Sequence, residues 1–381
     1  IYTNSQMPWQ SKYDSNVTCP AAPVNYNPVG LYRKTFDVTD DLKAANGRIY
    51  LSFQGVESAY YVYVNGKEVG YSEDSYSPHS FDITDYLTED GQDNLLAVEV
   101  HKFCDGTWME DQDMYYDGGI FRDVYLYSAP LVHIQDYFVT TDLDENYENA
   151  AMNLDVTVAN ASTEAADGYR VDVRLYNQDG SMFVNDMTLD LDTIPAANGD
   201  ADGSASVSGS KLVLSPELWS AETPNLYTLV LSLYNSKTGA YMGSVSQQLG
   251  FREIEFTRTE VDENGDRTTE DSEYQPITIN GKPILLKGTN RHDTDPVYGK
   301  YVPEETQEED VILMKQYNLN ALRTSHYSND EYLYYLCDKY GIYVMGETNL
   351  ESHALMNNGT AQANFKKLAM DRTVTAFKRL K

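Results

Sequence analysis

The order of apolar runs after residue 275 constrains this chain more than any other feature. "PILLKG" (283–288) is short and apolar, and it reads as a buried strand. "PEETQEEDVILMKQYN" (303–318) is helical in pattern, acidic in its first turn and basic near its end, as the helix dipole favours. "ALRTSH" (321–326) is a second strand, and "NDEYLYYLCDKYG" (329–341) is a helix opened by Asn/Asp and stopped by Gly. "IYVMGETN" (342–349) gives a third strand and "ANFKKLAMDRTVTAFKRLK" (363–381) a third helix. Strands alternating with helices in this way form parallel β/α units. A closed (β/α)8 barrel takes roughly 250 residues. Three units cannot close, so residues 256–381 are expected to be the start of an incomplete TIM barrel, and the chain an excerpt of a larger protein.

The residues before this point have a different period. In 1–130, "AYYVYVNGKEVGY" (59–71) alternates Tyr61 and Tyr63 with Val62 and Val64, then turns at Asn65-Gly66, a strong hairpin signal. "NLLAVEVHKF" (94–103) alternates again, and short strands at regular spacing predict an N-terminal β jelly-roll sandwich. Between 131 and 255, "MNLDVTVAN" puts Leu154, Val156 and Val158 on one face and "YRVDVRLYN" does the same with Val171, Val173 and Leu175. With "LYTLVLSLYN" these predict an immunoglobulin-like β-sandwich. The intervening "GDADGSASVSGS" (199–210) reads as a mobile loop by composition. A further hairpin is expected at Asn280-Gly281.

Composition narrows the partners. With 59 Asp plus Glu against 28 Lys plus Arg, the net charge of −31 disfavours nucleic acid and anionic membrane. No apolar run approaches the ~20 residues of a membrane span. The opening residues lack the basic and apolar regions of a signal peptide, and a cytoplasmic location is the expectation. Three scattered cysteines (Cys19, Cys104, Cys337) without a CxxC argue against a disulfide framework or zinc knuckle. Cys337, mid-helix among apolar residues, reads as inert packing. The 32 tyrosines offer flat apolar faces with polar tips, suited to sugar rings as well as to sandwich cores.

In β/α barrels the functional side chains stand where strands end. Polar clusters follow all three strands here: "TNRHD" (289–293), "RTSHY" (323–327) and "ETNLESH" (347–353). Each carries an imidazole, His292, His326 or His353, and this recurrence points to a shared pocket rather than three separate structural histidines. Glu351 and His353, two apart, face the same way in an extended stretch and suit one metal ion, Mg²⁺ or Zn²⁺ by donor type. A polar loop in water is the alternative. Neither a GxSxG motif nor a phosphate-binding glycine motif occurs.

Taken in order, seven strings resemble glycoside hydrolase family 2, and in particular its large bacterial β-galactosidases. They are "NPVGLYRKTF" (27–36), "EDQDMYYDGGIFRDV" (110–124), "LWSAETPNLY" (218–227), "GFREIEF" (250–256), "NGKPILLKGTNRHD" (280–293), "MKQYNLNALRTSHY" (314–327) and "LCDKYGIYVMGETNLESH" (336–353). The resemblance implies a sugar-binding jelly roll, an immunoglobulin-like domain and a catalytic barrel that retains configuration while hydrolysing β-galactosides. It implies that Asn27 and Asp113 contact galactose, Asp113 also with a sodium ion. It further implies that His292 and His326 stabilise the transition state, and that Glu351 and His353 bind magnesium. The parent enzyme is expected to be a homo-oligomer. Two departures are "DTDP" (293–296), where some members carry more histidines, and Gly346, where an acidic residue is common. In the family both catalytic glutamates follow later strands, the acid/base one within an Asn-Glu pair, and no Asn-Glu occurs in this sequence. The 381-residue piece is therefore expected to be inactive alone and to self-associate through its open barrel edges. The competing reading is a non-catalytic carbohydrate-binding pair of β-sandwiches with an α/β remnant.

Overall fold

The computed structural model describes residues 7, 9, 14–199, 201–256, 277–355 and 359–381. The first sandwich packs two antiparallel sheets face to face. One runs Val29–Phe36, Asn94–His101, Ala59–Val64, Lys67–Glu73 in spatial order; the other runs His79–Asp82, Gly47–Phe53, Val124–Pro130. Alternation decides which faces meet: Val62, Val64, Val98 and Val100 point inward against Phe53 and Phe81. Asn65 and Gly66 both take positive φ, 52° and 79°, which is the turn that matches the twist of a two-residue hairpin.

The second sandwich sets Val132–Leu143, Asn149–Asn160 and Gly203–Leu214 against Met182–Asp190, Tyr169–Tyr176, Tyr227–Asn235 and Tyr241–Leu249. Leu154, Val156, Val158, Val171, Val173 and Leu175 all lie in its buried core, as their spacing requires. The serine- and glycine-rich segment corrects the expectation of a mobile loop. From Gly203 to Leu214 it is a regular strand paired with Asn149–Asn160 along its whole length. Ala205 and Val207 pack on the core, while Ser206 shares a 2.8 Å hydrogen bond with Thr157 on the outer face. Its glycines serve close approach rather than flexibility. A Cβ on Gly203 would lie 2.0 Å from the Pro195 carbonyl oxygen, and one on Gly209 2.3 Å from Leu189 Cδ2.

The third segment is a parallel three-stranded sheet, Gly288–Arg291, Ala321–Thr324 and Tyr343–Met345, with helices Glu304–Gln316, Glu331–Tyr340 and Gly359–Leu380. The second helix starts where Asp330 accepts a 2.9 Å bond from the Tyr332 amide and stops at Gly341, φ 76°. Val311, Met314, Leu322, Leu333, Leu336, Cys337 and Ile342 form its core. "PILLKG" departs from expectation: Leu285 and Leu286 are 65% and 43% exposed, and the strand begins only at Gly288. Ile284 alone reaches the Trp219–Tyr343 cluster, because among the described residues this outer strand has a neighbour on one side only. The Asn280-Gly281 hairpin forms as its dipeptide dictates, between Thr278–Ile279 and Lys282–Pro283. No helix among the described residues is long and apolar enough to cross a membrane.

Candidate active site at the strand ends

Each of the three parallel strands delivers polar residues to the same end of the sheet. His292 follows the first strand directly, and its ring centroid lies 5.7 Å from that of His326 after the second, at 76°. Glu347, Glu351 and His353 follow the third, and a line of alternating basic and carboxylate side chains runs through them. Arg323 pairs with Glu347, whose other oxygen lies 3.0 Å from His326 Nδ1. His326 Nε2 stands 3.4 Å from Glu351 Oε2, and Glu351 Oε1 is 2.8 Å from His353 Nε2. The string Arg323–Glu347–His326–Glu351–His353 thus runs from the sheet out to His353, whose side chain is 48% exposed. The structure brings the three expected histidines and Glu351 together. It also brings in Glu347 and Arg323, members of the polar clusters 347–353 and 323–327 to which sequence pattern alone assigns no role. Their signal was position alone: a carboxylate and a guanidinium beside strand ends that already carried imidazoles.

His292 is held differently. Burial lowers its pKa, and the nearby His326, Lys300 and Arg323 add to the effect against Asp293. The ring is therefore neutral at pH 7, and its buried Nδ1 has no hydrogen-bond partner among the described residues. A neutral imidazole with an unmet ring nitrogen is suited to a hydroxyl group of a ligand. Behind it, Arg291 bonds Asp293 and also Asp310 at 2.9 Å and Asn329 at 2.9 Å, fixing the strand end.

The first sandwich forms one wall of this site through a buried polar seam. Arg122 donates to Asp293 (3.0 Å) and to the carbonyls of Ser328 (2.8 Å) and Tyr76 (3.1 Å). Lys300 pairs with buried Glu57 at 2.8 Å and donates to the Tyr76 hydroxyl at 2.8 Å, and Tyr76 stacks on Tyr327 at 3.7 Å. Asn349, after the third strand, donates to Asp74 (2.9 Å) and Glu110 (2.7 Å) and accepts from Gln112 (3.0 Å). Arg372 pairs with Glu110 at 2.9 Å and donates to the Asn349 carbonyl. Spacing within one segment cannot reveal such long-range pairs, and none of them was named from sequence.

Asp113 is half-buried and brought to this wall by its neighbours. Gln112 holds Asn349, and Met114 packs with Tyr76, Phe121 and Tyr327. Asn27 braces the backbone: its amide donates to the Phe103 carbonyl (2.9 Å) and accepts from the Phe103 amide (3.0 Å). One N–H and one lone pair of Asn27 remain for any ligand.

Glu351 and His353 fit part of a cation site. The carboxylate and imidazole are in contact, and buried Glu351 Oε2 faces His326 Nε2 at 3.4 Å without hydrogen-bond geometry, so its lone pairs are incompletely met. A magnesium ion takes one or two carboxylates and keeps several waters, so two protein ligands are compatible with it. The group of three carboxylate, imidazole or thiol side chains that does converge among the described residues lies elsewhere, at Glu73, Cys104 and Asp105. There burial pushes the Cys104 thiol well up, reinforced by Glu73, so it is protonated and a poor ligand.

Residues 1–130 match the model described as "Glycosyl hydrolases family 2, sugar binding domain". Residues 132–252 match "Glycosyl hydrolases family 2", and residues 272–378 its "TIM barrel domain". The chain belongs to glycosyl hydrolases family 2. Among family relatives, a β-galactosidase of Priestia megaterium is 44% identical over 92% of this chain and 31% of its own length. One of Clostridium acetobutylicum is 40% identical over 92% of this chain and 35% of its own. A crystal structure of a Bacteroides uniformis β-glucuronidase superposes with TM-score 0.67 at 27% identity, over 84% of this chain and 36% of that one. The chain spans about a third of the length of the curated relatives it matches. In family terms the described architecture is the sugar-binding sandwich, the immunoglobulin-like sandwich and part of the barrel.

Proposed function

We propose that these residues form the sugar-gripping part of a retaining β-galactosidase whose chain continues through the rest of the barrel. The observation that carries the reading is the imidazole and carboxylate string at three neighbouring strand ends, walled by the loop that holds Asp113. In the proposed reaction His292 and His326 hold ring hydroxyls, through hydrogen bonds that strengthen as the ring gains oxocarbenium character. Glu347 holds His326 by accepting from its Nδ1–H, and Arg323 fixes Glu347. Two glutamates roughly 5–5.5 Å apart, contributed by later strands, protonate the leaving oxygen and form the glycosyl intermediate. Glu351 and His353 would hold Mg²⁺, and Asp113 Na⁺; such ions supply fixed positive charge that orders the acidic pocket.

Charge favours galactose over a uronic acid. Asp113 would repel a carboxylate at C6 and accept a hydrogen bond from a neutral CH₂OH. The relatives matched at 40–44% identity are named β-galactosidases, which supports the same choice. The test is the full-length protein on p-nitrophenyl β-galactoside and p-nitrophenyl β-glucuronide. Galactoside turnover is expected to dominate, and a preference for the glucuronide would overturn the assignment.

A further inference from the structure

The crevice between the two sandwiches has the features of a sugar site and belongs to no part of the machinery above. It is an open groove offering about 520 Å³, a volume within the range of small-molecule sites. On the jelly-roll side Tyr50 and Tyr127 are stacked face to face, centroids 5.0 Å apart at 14°, and Tyr127 remains 37% exposed. The Tyr50 hydroxyl is anchored by Arg48, which also sits 3.2 Å from Asp202 and 3.4 Å from Asp82. On the immunoglobulin-like side the floor is the edge strand Tyr241–Leu249, whose backbone is unpaired in the sheet on its outer side. Gly243 sits there with φ 142°, and a Cβ on it would meet nothing within 4 Å.

The polar groups of the crevice face different ways and are only partly used. His133 directs Nδ1 at the Pro130 carbonyl, 2.9 Å away, so Nδ1 carries the proton and Nε2 is left as an acceptor. Asp202 Oδ1 is buried and faces Arg48 without hydrogen-bond geometry, so its lone pairs are incompletely met. An aromatic plate beside two incompletely used acceptors, His133 Nε2 and the Asp202 carboxylate, suits a ring with one apolar C–H face and donating hydroxyls. These groups do not suit a purely apolar ligand, which would strand Asp202 and His133, and Asp202 is the one carboxylate among the described residues lining the crevice, where an anion finds no cation.

We infer that the Tyr127–His133–Asp202 crevice binds a neutral pyranoside, independently of the strand-end site. The test titrates the 381-residue chain with lactose, cellobiose and sodium glucuronate by ligand-observed NMR. The wild-type chain, Tyr127→Ala, Asp202→Asn and His326→Ala are compared. The expected result is saturable binding of a neutral disaccharide that weakens about tenfold in Tyr127→Ala, the scale of one lost ring stack. It should also weaken in Asp202→Asn, persist in His326→Ala and be absent for glucuronate. Tyr127 is partly exposed, so its truncation should leave the fold intact, and a thermal melt checks this. Absence of disaccharide binding, or binding lost with His326 and unchanged by Tyr127 and Asp202, overturns the inference. Persistence of the crevice signal in a parent protein without galactosidase activity would leave this site standing while removing the proposal for the other.

Discussion

Replacing Arg122 with alanine tests how the first sandwich is tied to the strand ends. The guanidinium and the Asp293 carboxylate are each 3% exposed, and Arg122 also serves two buried carbonyls. Breaking a buried pair by removing one partner costs about 3–5 kcal/mol. Asp293 keeps Arg291 and the Asp330 amide, so the lower end, about 3 kcal/mol, is expected. If the loss is local, amides of 288–293 and 321–330 should exchange roughly 100-fold faster, since each 1.4 kcal/mol is about tenfold. Strands Asn149–Asn160 and Tyr169–Tyr176 of the second sandwich should exchange as before. The pH dependence follows from Asp293. Burial alone would raise its pKa, but Arg291 and Arg122 outweigh it and hold the carboxyl below its usual value. A depressed folded pKa means stabilisation that is complete above the unfolded value near 3.9 and is lost as pH falls through the folded one. The gap between wild type and Arg122→Ala should therefore be full at pH 7 and narrow below about pH 4. Hydrogen-exchange mass spectrometry that finds less than a tenfold change at the strand ends, or acceleration spread evenly over both sandwiches, refutes the reasoning.

Other outcomes are open to simpler measurements. Gly341→Ala combines a positive φ of 76° with a Cβ 2.4 Å from the Ala221 carbonyl oxygen, and urea unfolding should show a loss of about 1–3 kcal/mol. Cys104 and Cys337 are buried, the latter with its thiol pushed up to about 12, so a thiol reagent at pH 8 should modify at most Cys19 until denaturant is added. His79, His133 and His292 all have pKa values lowered first by burial, and NMR should find each titrating below the ordinary histidine value. The 381-residue chain by itself should not turn over an aryl β-galactoside; activity surviving repeated purification would contradict the proposed place of the two glutamates.

The strands were legible where one face of alternation is apolar. Val62 with Val64, and Val171 with Val173 and Leu175, are buried as their spacing required. The Asn-Gly turns at 65–66 and 280–281 were legible for the same local reason, two residues able to adopt positive φ. Reading failed where composition stood in for pattern. The serines of Gly203–Leu214 alternate with Ala205 and Val207, and a neighbouring strand makes that weak alternation a full sheet partner. "PILLKG" failed in the opposite sense, since an apolar run says nothing about whether a covering layer is present. At the site, His292, His326, Glu351 and His353 were visible because they follow strand ends. Arg122, Lys300 and Asn349 were not, because their partners lie far away in sequence. That seam also weighs against reading the sandwiches as a free-standing module, since three buried cations tie the first one to the α/β segment.

The helix Gly359–Leu380 leaves Met370, Val374, Phe377 and Leu380 exposed along one stripe, beside a sheet whose outer strands have open sides among the described residues. Such adhesive ground coexists with a net charge of −31, and mutual repulsion should keep copies apart in dilute buffer. That repulsion reaches about 30 Å at 0.01 M salt and only about 3 Å at 1 M. Light scattering should accordingly find the chain dispersed at low ionic strength and clustering as salt rises, the reverse of what a surface held together by ion pairs would do.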